Sequence, residues 1–262
     1  MDYHLEGRRV LVTGAAGSIG KGIAEGFARE GAALFITDLR GEPLGRVREG
    51  ILSSGGKCEL LAADATNAGA VKAVFTRALS FFGGAIDVLV NVAGIVGQSR
   101  IEDTSEEEWD RIFAVNCKGT FLFVREAVPL MKTRKSGKIV NFSSKSGKTG
   151  SPLMGAYSAA KAAIIGLTQS LAHELADFGV TVNCLCPGLV EETGVWDALA
   201  SLYTGSLKKS RKEIVELFSS KVPLKRLATI DDIAALVLFL ASKGGDYLTG
   251  QAFNVSGGRE MH

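Results

Sequence analysis

A tyrosine and a lysine four residues apart are the residues whose spacing most clearly favours chemistry in this chain. Tyr157 and Lys161 lie in the segment YSAAK, and residues at i and i+4 share one face of a helix. A phenol has a pKa of about 10 in water, and a neighbouring cation lowers it by favouring the phenolate. We therefore expect Tyr157 to transfer a proton near neutral pH. A Tyr-x-x-x-Lys string alone is common, so its position relative to other motifs matters.

A glycine-rich turn near the start of the chain is the second candidate functional segment. Gly14, Gly17 and Gly20 follow an apolar run and coincide with the start of a helical pattern. Glycines in this position permit unusual backbone angles and let the backbone approach a pyrophosphate, which then lies on the helix N-terminus. A turn between a first strand and a first helix therefore predicts a dinucleotide site.

An aspartate at the end of the second apolar run bears on the choice of dinucleotide. Asp38 is placed to accept hydrogen bonds from the adenosine ribose hydroxyls. A 2′-phosphate beside this carboxylate would cost on the order of 4 kcal/mol as a close like-charge pair. Arg40 could bind a phosphate and favours the opposite choice. The sequence predicts NAD rather than NADP, with a loop or helix-cap role for Asp38 as the alternative.

The elements that must position these residues are strands alternating with longer helices. Apolar runs predict strands at about 9–12, 33–37, 58–63, 87–90, 138–142, 180–186 and 252–255, and helical patterns cover about 19–30, 43–53, 67–82, 104–132, 156–178 and 230–241. This alternation predicts parallel β-α-β units with right-handed crossovers. Short apolar strands fit a sheet covered on both faces. We expect an α/β fold with a doubly wound, seven-stranded parallel sheet and helices on both faces, in a single domain over 1–262.

Composition excludes several other classes of protein. The 262 residues are 46% hydrophobic and 22% charged, with a net charge of +2 that gives no reason to expect nucleic acid as a partner. No apolar run approaches the ~18–20 residues of a membrane span. The first strand begins too early to leave room for a signal peptide, so we expect a cytoplasmic protein. The cysteines and histidines lack metal-ligand spacing, and no catalytic metal is expected.

The motifs taken together resemble the classical short-chain dehydrogenase/reductase family over essentially the whole chain. The matching segments are TGxxxxIG at 13–20, Asp38, Asp64-Ala65, Asn91-x-Ala93-Gly94, Asn116, Ser144, Tyr157-x-x-x-Lys161 and Pro187-Gly188. The family serine lies thirteen residues before the tyrosine, which selects Ser144 over Ser143. The resemblance implies a Rossmann fold and an NAD(P)-dependent alcohol dehydrogenase or ketoreductase.

The resemblance also implies roles for individual residues. The catalytic tetrad would be Asn116, Ser144, Tyr157 and Lys161. Tyr157 would exchange the hydroxyl proton, and Ser144 would hold the reacting oxygen. Lys161 would bind the nicotinamide ribose and lower the Tyr157 pKa, while Asn116 would hold a water. The hydride would pass directly between substrate and nicotinamide. The cofactor-binding residues would be Gly14, Gly17, Ser18, Ile19, Gly20, Asp38, Asp64, Ala65, Asn91, Ala93, Gly94, Tyr157, Lys161, Pro187, Gly188 and Val190.

The chain departs from the family pattern at a few positions outside the tetrad. Ser18 stands where the second glycine usually lies, and Gly17 beside it offers the same freedom. The threonine that often follows the proline by five residues is replaced by Glu192, with Thr193 one position later. This leaves the local nicotinamide contact open. Ser256 replaces a frequent aspartate near the C-terminus.

The substrate is indicated by weaker signals. Residues 142–148, 221–226 and 254–258 resemble sorbitol-6-phosphate 2-dehydrogenases and related polyol dehydrogenases. A polar segment at about 189–222, called the lid here, is placed to cover the carboxyl ends of the strands. Candidate cations for a phosphorylated or polyhydroxylated substrate are Lys145, Lys148, Lys208, Lys209, Arg211 and Lys212; the alternative is a solvated helix surface. Candidate apolar lid residues are Trp196, Leu199, Leu202 and Tyr203, which could line a pocket for a steroid-like or aliphatic ketone, or simply pack the lid onto the body.

These observations predict an NAD-dependent oxidoreductase of a secondary alcohol in a polyol, sugar or sugar phosphate. The alternatives are a 3-oxoacyl, hydroxysteroid or aliphatic ketone reductase, a non-catalytic dinucleotide-binding regulator, and a nucleotide-sugar epimerase, although such epimerases normally have a larger C-terminal region than the one that follows Gly188 here. The resemblance implies a homotetramer or homodimer, built through the helices that carry Asn116 and Tyr157 and through the last helix and strand. The apolar run 233–240 fits such an interface or burial within one subunit.

Overall fold

The structure is a computed structural model that describes residues 3–194, 196 and 210–261. Within these residues the strands are β1 (Arg9–Thr13), β2 (Ala33–Asp38), β3 (Lys57–Ala62), β4 (Val88–Asn91), β5 (Gly137–Phe142), β6 (Val180–Pro187) and β7 (Ala252–Val255). They form one parallel sheet of seven strands in the order β3-β2-β1-β4-β5-β6-β7. The predicted seven-stranded parallel sheet is confirmed. Parallel neighbours require crossover connections, which the predicted helices supply.

Helices connect the strands at the places that the sequence predicts. They are α1 (Ser18–Arg29), α2 (Gly41–Ser53), α3 (Ala68–Phe82), α4 (Glu106–Phe113), α5 (Gly119–Arg134), α6 (Ser146–Thr149), α7 (Gly155–Leu175), α8 (Arg211–Ser220) and α9 (Ile230–Ala241). Short 3₁₀ turns lie at Ile101–Asp103, Ala176–Phe178 and Lys243–Gly245. The predicted continuous helix over 104–132 is wrong in one respect, since Ala114–Lys118 forms a π-helix between α4 and α5.

The core consists of two apolar layers on opposite faces of the sheet. Successive side chains of a strand point to opposite faces. In β1, Val10 and Val12 belong to the cluster that includes α1, α2 and α9, whereas Leu11 belongs to the cluster that includes α3, α5 and α7. All three side chains are fully buried. Most of the apolar run in α9 is buried against α1 within the subunit, although Phe239 keeps 36% of its surface exposed.

The strand order brings the segments that carry the functional residues together at the carboxyl ends of the strands. β1 lies between β2 and β4, so the chain reverses its direction of winding between these neighbours. Ligands of doubly wound sheets bind in the crevice at such a switch point, beyond the carboxyl ends of the strands. The segments that follow β1, β2, β4, β5 and β6 all reach this edge.

The lid is described in part. Val190 pairs with Ala228 beyond β6, and α8 packs Phe218 edge-on against Trp196 with 5.7 Å between ring centroids. The predicted lid residues Leu199, Leu202, Tyr203, Lys208 and Lys209 lie outside the described residues. None of the helices in the described ranges combines the length and apolar character needed to cross a bilayer.

Candidate active site

A cavity of about 1060 Å³ lies at the carboxyl edge of the sheet. Its lining includes the predicted residues Gly14, Gly17, Ser18, Ile19, Gly20, Asp38, Asp64, Ala65, Ala93, Gly94, Asn116, Ser144, Tyr157, Lys161, Pro187, Gly188 and Val190. Asn91 is not part of the lining. Its Nδ2 donates to Asn141 Oδ1 at 2.9 Å, so this side chain joins β4 to β5 beneath the cavity.

The glycine-rich turn brings the backbone close to the cavity. Gly14 has φ of +66°, which favours glycine, and a Cβ there would lie 2.7 Å from Ala93 N. A Cβ on Gly20 would overlap the Gly14 carbonyl. Gly17 has φ of −85°, so the conformational freedom expected of it is not used. No side chain caps α1, which leaves its N-terminal amides able to bind an anion.

Two aspartates line the cavity where β2 ends and just beyond the end of β3. Asp38 Oδ2 accepts from Ala16 N at 3.1 Å, and Oδ1 accepts from Arg40 N at 3.0 Å and Arg40 Nε at 3.3 Å. Asp38 is therefore fixed at the end of β2 with 10% of its side chain exposed, and the exposed Arg40 is paired with it. Asp64 Oδ1 accepts from the amide and hydroxyl of Thr66, which shapes the turn after β3.

The π-helix places Asn116 in the cavity wall. Asn116 Nδ2 donates to Ile95 O and Ile112 O, both at 2.9 Å. Its Oδ1 is buried and has no hydrogen-bond partner among the described residues. A Cβ on Gly94 would lie 2.6 Å from this oxygen and 3.2 Å from Lys161 Nζ. Only glycine at position 94 therefore lets both polar groups converge, and single π-helical turns often mark functional sites.

The environment of Tyr157 differs from the prediction. Burial raises the pKa of Tyr157 above its ordinary value and outweighs the hydrogen bond with Ser144, which lowers it. Lys161 Nζ donates to Phe142 O at 2.9 Å and lies 5.7 Å from the centroid of the Tyr157 ring. Burial also lowers the pKa of Lys161 to about 8. The expected lowering of the Tyr157 pKa by Lys161 is therefore wrong for this structure, since the ammonium binds a carbonyl rather than the phenol.

The two neighbouring serines make different contacts. Ser143 Oγ donates to Lys161 O at 2.7 Å and joins the end of β5 to α7. Ser144 Oγ accepts from Ser146 N at 3.1 Å, and Ser144 lowers the pKa of Tyr157. Ser143 thus holds the helix that carries Tyr157 and Lys161, while Ser144 shares the cavity with the phenol.

The segment after β6 accommodates one extra residue relative to the family pattern. Glu192 adopts φ of +57° and does not line the cavity, whereas Thr193 does. Thr193 Oγ1 donates to Val190 O at 2.9 Å and accepts from Trp196 N at 3.2 Å. The left-handed turn at Glu192 therefore brings a threonine to the cavity one position later.

The cations around the cavity differ from those predicted. Lys145 lines it, but Lys148 Nζ donates to Ala252 O at 2.7 Å and is not in the lining. Arg211 and Lys212 are not in the lining either. Arg259 lines the cavity, and no motif in the sequence indicated it, because its position depends on how the C-terminal segment folds back. Across the described ranges, no cluster of His, Cys, Asp or Glu could hold a metal ion.

Sequence comparison identifies similar proteins over nearly the whole chain. A family model described as enoyl-(acyl carrier protein) reductase matches residues 14–260. Galactitol 2-dehydrogenase of Agrobacterium fabrum is 37% identical over 98% of this chain and 99% of its own length. The 2-(S)-hydroxypropyl-CoM dehydrogenase 3 of Xanthobacter autotrophicus is 39% identical over 98% of each chain. The 3-oxoacyl-[acyl-carrier-protein] reductase of Thermotoga maritima is 35% identical over 97% of this chain and 98% of its own.

Solved structures agree with these relatives. NAD⁺-bound xylitol dehydrogenase superposes with a TM-score of 0.91 and 30% identity, covering 97% of this chain and 99% of that one. A single-residue variant of actinorhodin polyketide ketoreductase with NADPH superposes with a TM-score of 0.93 and 30% identity, covering 98% of both. Together with the glycine turn, the sheet order and the cavity, these matches show that the chain belongs to the classical short-chain dehydrogenase/reductase family of NAD(P)-dependent oxidoreductases acting on alcohols and ketones.

Proposed function

We propose that the protein is an NAD-dependent dehydrogenase that interconverts a secondary alcohol and a ketone in a polyol, sugar or sugar phosphate. The observation that carries the proposal is the Asp38 carboxylate, held at the end of β2 in the cavity that also contains Ser144, Tyr157 and Lys161. A fixed negative charge there favours ribose hydroxyls over a 2′-phosphate. The similarity to galactitol 2-dehydrogenase and to NAD⁺-bound xylitol dehydrogenase supports a polyol-like substrate.

The residues of the cavity wall would divide the proton chemistry among them. Bound NAD⁺ would supply the acceptor for the hydride of the alcohol carbon. Tyr157, as phenolate, takes the hydroxyl proton, so that the alcohol loses one hydride and one proton and becomes the ketone. Ser144 donates a hydrogen bond to the reacting oxygen as its charge changes. In the reverse direction Tyr157 donates the proton to the ketone oxygen.

Lys161 would hold the cofactor, and Lys161 together with a water held by Asn116 would carry the proton away from Tyr157. A buried lysine whose pKa is about 8 is mostly charged at neutral pH and can donate to the nicotinamide ribose hydroxyls. The buried Asn116 Oδ1 has no partner among the described residues, and it is placed to accept a hydrogen bond from a water beside Lys161. Such a water would connect the lysine to solvent.

A second candidate function is the reduction of 3-oxoacyl thioesters with NADPH. The similarity to a 3-oxoacyl-[acyl-carrier-protein] reductase and to the NADPH-bound polyketide ketoreductase favours it. Arg40 could turn to a 2′-phosphate, because more than half of its side chain is exposed. Asp38 opposes this candidate, since its carboxylate already pairs with Arg40 and would lie against the phosphate.

Absorbance of the reduced nicotinamide tests both candidates directly. Purified protein is incubated with NAD or NADP and free polyols, polyol 6-phosphates and hydroxysteroids, and with NADH or NADPH and 3-oxoacyl thioesters. We expect NAD-dependent oxidation of a polyol or its phosphate, and a loss of about 10²–10⁴-fold in kcat for Tyr157→Phe. Asp38→Ala should raise kcat/KM for NADP relative to NAD. Turnover restricted to NADPH and oxoacyl thioesters would instead establish the second candidate, and full turnover by Tyr157→Phe would exclude the mechanism.

We further propose that the protein is a cytoplasmic homo-oligomer. The four cysteines are free thiols, which supports a reducing compartment.

A small groove between α5 and α7 is lined by Cys117, Lys118, Phe121, Ala163, Ile164 and Leu167, and Phe121 leaves 45% of its surface exposed beside it. An exposed apolar patch next to a groove favours contact with a second copy of the chain.

A further inference from the structure

The C-terminal segment folds back on itself beyond β7. Glu260 N donates to Ser256 Oγ at 3.2 Å, and Ser256 Oγ donates to Glu260 O at 3.3 Å. Arg259 N donates to Ser256 O at 3.2 Å, and Asn254 Nδ2 donates to Glu260 O at 3.1 Å. These bonds close a compact turn, so Arg259 and Glu260 are held against the body of the protein.

This turn brings two cations and one carboxylate together beside Ser144. Glu260 Oε1 lies 3.9 Å from Lys145 Nζ and 3.7 Å from Arg259 Nε. The side chains of Lys145, Arg259 and Glu260 are 18%, 25% and 8% exposed. Lys145 directly follows Ser144 in the chain, and both Lys145 and Arg259 line the cavity. The cluster therefore adds one net positive charge close to the proposed reacting groups.

The cluster leaves polar atoms without partners. Arg259 Nη1 and Glu260 Oε2 are both buried and have no hydrogen bond to any described residue. Lys145 Nζ donates to Ser151 Oγ at 3.2 Å and has further donors available. Buried donors are normally satisfied, so the unpaired Nη1 of Arg259, a residue of the cavity lining, indicates a ligand that would complete it. The donors of Lys145 and Arg259 suit an anion.

We propose that Lys145 and Arg259 form a subsite for an anionic group of the substrate, a phosphate or a carboxylate, and that Glu260 behind them offsets part of their positive charge. This inference rests on the proposed function, because it names the class of alcohol that the cavity takes. Arg259 and Lys145 are therefore specificity-determining residues of the proposed substrate site.

The charges alone could be an ion-pair network that only fastens the C-terminal segment. That explanation predicts that neutralising Lys145, Arg259 or Glu260 lowers the stability of the C-terminal segment in every case. A ligand subsite predicts opposite effects for the two signs of charge. Removing either cation lowers the affinity for an anion, and removing the carboxylate raises it because the remaining potential is more positive.

Binding of inorganic phosphate to the NAD-saturated protein, measured by calorimetry, is the first test. Bound NAD occupies the glycine turn, so the added phosphate reports on the subsite. We expect Arg259→Gln and Lys145→Gln each to weaken phosphate binding about tenfold or more, and Glu260→Gln to strengthen it. Arg77→Gln, which removes an exposed charge on α3, should match the unmodified protein. Equal affinity in all variants, or weaker binding in Glu260→Gln, would overturn the subsite.

A kinetic comparison separates this inference from the proposed function. The measured quantity is the ratio of kcat/KM for a polyol 6-phosphate to that for its parent polyol, and Arg259→Gln should lower it about tenfold or more. An unchanged ratio in an enzyme that oxidises the free polyol with NAD would overturn the subsite alone. Phosphate binding that depends on Arg259 in a protein that oxidises no polyol would retain the subsite and reject the proposed function.

Discussion

The proposed oxidation depends on the ionisation of Tyr157, whose hydroxyl oxygen would take the proton of the alcohol. Lys161 Nζ donates to Phe142 O, and the partly exposed phenol lies in the cavity wall, where desolvation disfavours its charged form. The pKa of Tyr157 is consequently raised, and Ser144 is the neighbour that lowers it by hydrogen bonding. A general base with a raised pKa is less ionised at neutral pH, so the hydrogen bond of Ser144 gains importance.

Ser144→Ala should therefore change both the rate of alcohol oxidation and its pH dependence. Oxidation needs the phenolate, so kcat/KM rises with pH, and loss of the hydrogen bond should move this rise to more alkaline pH. Loss of a donor to the reacting oxygen should lower kcat by about 10²–10³-fold. The measurement is kcat/KM from about pH 6 to about pH 10.5, a range that reaches the ordinary tyrosine pKa.

Ser143→Ala is the matched control for this pH profile. Its hydroxyl donates to Lys161 O and not to the reacting groups, so the position of the pH profile should stay unchanged even where the rate decreases. A profile that moves equally in both variants would assign the pKa of Tyr157 to the packing of α7 rather than to Ser144.

Asp87, just before β4, joins three elements at the amino ends of the strands, opposite the cavity. It accepts from Arg9 N at 3.0 Å and from Arg9 Nε at 2.8 Å in β1, and from Arg134 Nη2 at 2.8 Å at the end of α5. Burial disfavours its charge, but the hydrogen bonds of Arg9 and Arg134 outweigh burial and lower the pKa of Asp87 to about 2. The ion pair therefore stabilises the folded state where the carboxylate is ionised.

Asp87→Asn should destabilise the protein at neutral pH and much less in acid. A pKa lowered from 3.8 to about 2 corresponds to roughly 2 kcal/mol in the free energy of unfolding. Because the folded-state pKa is depressed, this contribution is present above about pH 4 and is lost as the pH falls towards about 2. Urea unfolding at about pH 7 and about pH 3 measures the difference, and the exposed Asp177→Asn is the control. If Asp87→Asn lowers the free energy of unfolding equally at both pH values, the effect would be due to packing and not to the ion pair.

The assembly belongs to the scale of the whole molecule. In α9, Ile233, Val237 and Leu240 are buried within the subunit, so the apolar run 233–240 is largely explained without a partner. The groove beside Phe121 is different, because this aromatic ring stays 45% exposed with Arg125 at 5.4 Å from its centroid. The α5–α7 face is therefore the stronger basis for the proposed contact between copies.

Light scattering coupled to size exclusion tests the proposed oligomer. With a 27.6 kDa chain, we expect the mass of a dimer or tetramer, and Phe121→Asp should lower it, since burying a carboxylate in an apolar interface is costly. Leu52→Asp changes a residue of α2 that is 40% exposed and away from this face, and should leave the mass unchanged. A monomer for the unmodified protein would reject the proposal.

Local patterns in the sequence determined the elements and the residues that the chemistry requires. Apolar runs and helical periodicity placed β1–β7 to within one or two residues, because secondary structure follows periods of hydrophobicity that are readable locally. The strand-end positions of Gly14 and Asp38 and the spacing of Tyr157 and Lys161 likewise follow from short segments. Their convergence on one cavity edge follows from the parallel sheet.

Only the tertiary structure decided what depends on contacts between distant segments. The π-turn at Asn116, the burial that raises the pKa of Tyr157, and the turn of Glu192 that brings Thr193 to the cavity have no local signature. Glu260 reaches Lys145, which is distant in the chain, because the segment after β7 folds back. Burial, pKa and convergence of charges are properties of packed neighbours, which a linear pattern does not contain.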